Sequence, residues 1–128
     1  MKIVLTGAGG FLGWHTRLRL HALTDHEVVP VGRAEWSELS ALLSDADAVI
    51  HIAGVNRADT HDEVRDGNTA LAQDLAAAIT AADRPLRVVY ANSTQAGNGT
   101  PYGVGKEAAA RVLGEAIAVV GGQFVDVV

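Results

Sequence analysis

The sequence contains no cysteine, which excludes a disulfide framework, a thiolate nucleophile and a zinc site of the cysteine type. Its histidines, His15, His21, His26, His51 and His61, show no metal-ligand spacing, so no resident metal is expected. Positive charge is in short supply. Ten lysines and arginines stand against fifteen acidic residues, for a net charge of -5 and a pI near 5.4. That balance argues against nonspecific nucleic-acid binding. No apolar stretch approaches the ~18 residues that span a bilayer, so no membrane partner is expected. Met1-Lys2 leads directly into a strand-like run, which leaves no room for a signal peptide, and a cytoplasmic location is the default. Repeats, low-complexity tracts and linkers are absent as well.

What is there is an ordinary globular composition, 48% apolar and 20% charged over 128 residues. It suits one domain spanning 1–128 with a single core. Short β-branched runs alternate with longer helical patterns, the signature of βαβ units around a parallel sheet. Strands are predicted at Ile3–Leu5, Glu27–Val31, Ala48–Ile52, Leu86–Ala91 and Gln123–Val128. Helices are predicted at about Gly10–Leu23, Ala34–Leu43, Glu63–Ala82 and Tyr102–Val120. The first carries Leu12, Leu18, Leu20 and Leu23 as an apolar stripe, and the last carries Ala108, Val112, Leu113, Ala116 and Val119. The segment between the second and third strands is too short for a further helix–strand pair. About five strands in the order 2-1-3-4-5 follow, with the switch point between the first and third. The final strand has nothing after it, so the chain reads as the front part of something longer.

Three places carry chemistry. Thr6-Gly7-Ala8-Gly9-Gly10-Phe11-Leu12-Gly13 lies directly behind the first strand and opens the first helix. Backbone N–H groups at such a turn, helped by the helix dipole, cradle an anion such as a pyrophosphate. A Cβ at these glycines would hold the anion off or push the helix from the strand. The second strand ends Val31-Gly32-Arg33-Ala34-Glu35. An acid at the strand end would bond the ribose 2′-hydroxyl of NAD, and an arginine suits the 2′-phosphate of NADP. Arg33 therefore favours NADP, while Glu35 keeps NAD open. Tyr102 and Lys106 stand one helical turn apart on a shared face. There a phenol can act as acid and base beside an ammonium that lowers its pKa and holds the nicotinamide ribose. Ser93, after the fourth strand, can hydrogen-bond the same substrate oxygen, with Thr94 as its nearest substitute.

The order glycine turn, Ser93, Tyr102, Lys106 resembles the extended branch of the short-chain dehydrogenase/reductase superfamily, the NAD-dependent epimerase/dehydratase group. Gly7, Gly10 and Gly13 match its Gly-x-x-Gly-x-x-Gly spacing. Asp47 to Gly54 resembles its central strand, and Asn68-Thr69-Ala70 the start of its long helix. His51 to Arg57, Ser93 to Ala96 and Pro101-Tyr102-Gly103 are similar to the capsular-polysaccharide reductases, which reduce a 4-keto UDP-amino-sugar with NADPH and carry a C-terminal cupin domain. The resemblance implies an α/β Rossmann-like three-layer fold, truncated before the substrate-binding lobe. It implies cofactor contacts at Gly7, Gly9, Gly10, Phe11, Leu12, Gly13, Arg33, Ala53, Gly54, Tyr102 and Lys106, with Ser93, Tyr102 and Lys106 catalytic. The implied partner is a nucleotide sugar, and the implied activity is hydride transfer at a sugar carbon. Departures are Ala91-Asn92 in place of further serines before Ser93, and a short span from Ser93 to Tyr102. The rival reading is a dinucleotide-binding module without catalysis of its own. An apolar, unfinished sheet edge predicts pairing with a second copy as a homodimer.

Other residues have blander readings. His51 reads as a packed or backbone-bonded histidine near the site. Trp14 and Trp36 read as core or partner-facing aromatics, and the charges from Arg57 to Arg65 as a solvated loop. Arg57 alone could face a phosphate. Asn68 is either a helix-interior relay residue, as the resemblance suggests, or a helix cap.

Overall fold

The computed structural model describes residues 1–128. Its strands are β1 Lys2–Thr6, β2 Glu27–Val31, β3 Ala48–His51, β4 Arg87–Ala91 and β5 Gln123–Val127. All pairings are parallel, and the sheet runs β2-β1-β3-β4-β5. Pro30, which lacks an N–H, lies on β2 at one edge of the sheet, where a missing donor is tolerated. The helices are α1 Phe11–Leu23, α2 Leu39–Leu43, α3 His61–Ala82 and α4 Pro101–Val119. A 3₁₀ turn, Trp36–Glu38, and the short α2 replace the single helix expected over 34–43. This is the Rossmann-like arrangement in the predicted strand order.

Helix ends follow local chemistry. Thr60 caps α3 through a capping box with Glu63, and Asp83 ends it in the left-handed conformation at φ 47°. Thr100 caps α4, with Pro101 in its first turn.

Parallel register decides which residues share a face. Val4, Val49, Val88 and Phe124 form one row across the sheet, and Thr6, His51, Tyr90 and Asp126 form another. Both rows face α2, α3 and α4, where Leu39, Leu43, Leu75, Ile79, Leu113 and Ile117 complete the core. The α1 crossover runs the opposite way along the sheet, so right-handedness places α1 on the other face. There α1 covers β1 and β2, while Val125 and Val127 on β5 remain 44% and 47% exposed.

Two expected stripes shift. Gly13 is the only buried residue of α1. Thr16 and Leu20 are half-buried, and Leu12, Leu18 and Leu23 are exposed. The side of α1 that approaches the sheet is its small-residue side, because Gly13 sits on the glycine turn. In α4 the inward residues are Ala109, Leu113 and Ile117, and Val119 is exposed.

Candidate active site

The glycine turn begins where β1 ends. Gly7 has φ +69°, a region that L residues avoid, and a Cβ there would lie 2.6 Å from the Ala53 nitrogen. Gly13 serves a different purpose. Its Cβ would overlap the Gly7 carbonyl oxygen and lie 2.7 Å from the Gly7 carbonyl carbon. Only glycine lets α1 sit this close to the turn. Gly9, by contrast, has open space where a Cβ would go.

Thr6 ties this turn to the loop after β3. Its hydroxyl oxygen lies 3.2 Å from both the Ile52 and Ala53 N–H groups and accepts from them. Its own proton therefore goes to His51 Nδ1, 2.7 Å away. That contact leaves the histidine proton on Nε2. His51 is 1% exposed, and burial, with the nearby Lys106 charge second, pushes its pKa down to about 3. It is a neutral, packed ring. The next stretch of loop is held by Asn68, inside α3. Its side chain accepts from the Val55 N–H at 3.1 Å and donates to the carbonyls of Val55 and Val64 at 2.6 and 2.7 Å. Asn68 is thus neither exposed nor a cap; Thr60 is the cap.

Tyr102 and Lys106 enter from α4. Thr100 accepts from the Gly103 N–H at 3.1 Å. A Cβ on Gly105 would lie 2.6 Å from the Arg65 carbonyl oxygen, so α4 approaches α3 closely there. Lys106 is only 4% exposed, and its ammonium donates to the Ala91 carbonyl. Burial pulls its pKa down to about 8, against an upward pull from Asp126.

These elements enclose a cavity of about 1020 Å³ at the carboxyl ends of β1, β3 and β4. Its wall includes Gly7, Gly9, Gly10, Phe11, Leu12 and Gly13 of the turn, Arg33 after β2, Ala53 and Gly54 after β3, and Tyr102 and Lys106. Every residue expected to touch a cofactor therefore lines one space. Ser93 does not line it. Its hydroxyl accepts from the Gln95 N–H at 3.1 Å, Thr94 beside it is exposed, and Asn92 is on the wall instead. Arg57 is exposed and outside the lining.

The β2 end separates two charges. Arg33 lines the cavity, and its guanidinium makes no ion pair. Glu35 turns back to accept from the Gly32 N–H at 2.9 Å. Trp36 and Asp74 line the same end, joined by an indole N–H to carboxylate bond of 2.9 Å. The roles of Thr6, Tyr90 and the Trp36–Asp74 pair are not visible in local sequence. A threonine ending a strand and a tyrosine inside one carry no signal beyond strand propensity, and Trp36 meets Asp74 only through tertiary packing.

A glycine cradle, an arginine at the next strand end and a Tyr–Lys pair on one cavity define a dinucleotide-binding α/β domain. The family model for the NAD dependent epimerase/dehydratase family matches residues 3–113, and the chain belongs to that family. It is 36% identical over 121 residues to a UDP-2-acetamido-2,6-beta-L-arabino-hexul-4-ose reductase of Pseudomonas aeruginosa, covering 91% of this chain and 32% of that protein. Among solved structures, the capsular polysaccharide assembling protein CapF of Staphylococcus aureus is 28% identical with a TM-score of 0.75, covering 98% of this chain and 33% of that one. UDP-glucuronic acid 4-epimerase of Bacillus cereus, in complex with NAD, shares the fold at a TM-score of 0.79 and 20% identity, over 98% of this chain and 55% of that one. The chain spans about a third of the length of the reductase and of CapF. None of its helices is long and apolar enough to cross a membrane.

Proposed function

We propose that this chain is the cofactor-binding part of an NADP-dependent reductase of a nucleotide-linked keto sugar. The observation that carries the reading is the single cavity on which the glycine turn, Arg33, Tyr102 and Lys106 converge. The residues fit the dinucleotide. Gly9 leaves room for a pyrophosphate at the backbone, and the unpaired Arg33 suits a 2′-phosphate. Trp36 lines the same end of the cavity. The relative's name, a reductase of a UDP-linked hexul-4-ose, supports the substrate class.

When bound, the nicotinamide supplies the hydride. In this reading Tyr102 gives its phenolic proton to the sugar oxygen as that oxygen gains charge. The Lys106 ammonium, fixed on the Ala91 carbonyl, holds the ribose. Ser93 orients the same oxygen by donating its hydroxyl proton, which stays free while the Ser93 oxygen accepts from the Gln95 N–H. The absence of Ser93 from the cavity wall favours the second reading, dinucleotide binding without catalysis by this chain alone. The exposed Val125 and Val127 beside the unpaired edge of β5 support a homodimer. A monomer in sedimentation at high concentration counts against that.

Titration calorimetry with NADPH and NADH on the wild type and Arg33→Ala tests the cofactor part. Tight NADPH binding that Arg33→Ala weakens at least tenfold, with NADH little changed, is expected. Equal loss for both cofactors refutes the assignment of Arg33 to the 2′-phosphate. NADPH oxidation with a UDP-4-keto sugar then separates the two readings.

A further inference from the structure

We propose that Tyr90 is a positioning residue for Lys106, an aromatic platform in the core that holds the ammonium at the cavity wall in its charged form. Strand register sets Thr6, His51, Tyr90 and Asp126 in one row on the helix-covered face. Lys106 Nζ lies 4.3 Å from the centre of the Tyr90 ring. At that distance the negative face of the ring attracts the cation. The ring itself is fixed, being 1% exposed and stacked on His51 with centroids 5.6 Å apart and planes 22° from parallel. His51 is fixed in turn by the Thr6 hydroxyl, which also accepts from the Ile52 and Ala53 N–H groups of the cavity loop. The buried members of this row, Thr6, His51 and Tyr90, thus support both the loop after β3 and the ammonium on α4.

The physical need is plain. A lysine this buried loses hydration, and desolvation favours its neutral form. The groups around it are few. On β3 the neutral His51 offers no countercharge. On β4 there are the Tyr90 ring and the Ala91 carbonyl. On β5 there is Asp126, which itself accepts from Asn92 at 3.0 Å. On α4 the neighbour one turn away is Tyr102. On α3, Asn68 is uncharged, and the Arg65 guanidinium is taken by Asp62 and Asp66. The ring and the carbonyl are the direct contacts that replace lost water. The Tyr90 hydroxyl makes no hydrogen bond within the chain, so the face of the ring, not its oxygen, carries the effect. The catalytic weight of this platform rests on the reductase reading; its existence does not.

Lys2 and Lys106 are the only lysines, so ¹³C-lysine NMR of the whole chain gives two resolved ammonium titrations. In the wild type the Lys106 ε-protons are expected upfield of those of Lys2 by the ring current of Tyr90. Tyr90→Phe keeps the upfield position and the titration midpoint. Tyr90→Leu loses the upfield position and drops the midpoint by about 0.5–1 pH unit, since a cation–π contact favours the charged form. NADPH affinity falls several-fold in Tyr90→Leu and is restored in Tyr90→Phe. Absence of the upfield shift in the wild type overturns the proposal, as does a Tyr90→Leu midpoint equal to that of the wild type. If Tyr90→Leu does not fold, the wild type and Tyr90→Phe decide, because loss of the shift in Tyr90→Phe refutes a role for the ring face. A chain that shows the platform but binds no dinucleotide sinks the functional reading and leaves this one standing.

Discussion

Replacing Gly13 by alanine separates the two tasks of the glycine turn. The new Cβ would overlap the Gly7 carbonyl oxygen and lie 2.7 Å from the Gly7 carbonyl carbon and 2.9 Å from Ala8 Cα. Carbon atoms pack at about 3.5–4.0 Å, so α1 must move by roughly 1 Å against the turn. Backbone is what it meets, and backbone does not rotate away. Because Gly13 is the only buried residue of α1, the helix yields rather than the sheet. Overpacking of this kind costs about 1–3 kcal/mol, and alanine returns about 1 kcal/mol through helix propensity. The net loss, ~0–2 kcal/mol, lowers Tm by up to roughly 8 °C for a chain of this size. The effect on ligand is larger. Displacing two N–H groups from a pyrophosphate forfeits two charge-assisted bonds of about 1.5–3 kcal/mol each, at least ~100-fold in affinity. Gly9→Ala is the control, for its Cβ meets nothing within 4 Å. It should leave Tm unchanged within about 0.5 kcal/mol and still weaken NADPH. Calorimetry and thermal melts on the two variants suffice. Gly13→Ala with wild-type Tm and affinity refutes the close-packing argument, and Gly9→Ala with wild-type affinity refutes the approach of a phosphate to that backbone.

Three further outcomes follow from the same geometry. Asn68→Ala leaves the Val55 N–H and carbonyl without their partner, so urea melts should show a loss of about 2–3 kcal/mol, with NADPH affinity reduced as the loop loosens. His51 has a folded pKa of about 3 against an ordinary 6.5, so the unfolded chain binds the extra proton between those values. Stability is therefore lost as pH falls from about 6.5 towards 3, by up to roughly 4 kcal/mol from this residue; His51→Gln should flatten that slope, and an unchanged slope counts against it. Lys106 titrates near 8 when folded and at 10.5 when free. Again the unfolded chain holds more protons between the two, so stability should rise from about pH 8 to 10. The shift sets a ceiling of about 3 kcal/mol on that gain. Lys106→Met should abolish the rise in urea melts at pH 7.5 and 9.5.

The sequence by itself determined the strand order and the location of the cavity. Periodicity separates strands from helices because each element must bury one face, and the short segment between β2 and β3 leaves no room for another strand. The glycine spacing and the Tyr102–Lys106 turn are local patterns, legible without any long-range contact. Tertiary structure decided the rest. Which side of α1 meets the sheet depends on how closely Gly13 approaches the Gly7 carbonyl, so the leucine stripe pointed to the wrong face. Asn68 reaches a loop 13 positions earlier in the chain, and Ser93 engages its own turn rather than the cavity. The platform beneath Lys106 needs three strands in register, with Tyr90 between His51 and Asp126. Such a row exists only once the sheet has formed, because strand pairing and not sequence spacing brings its members side by side.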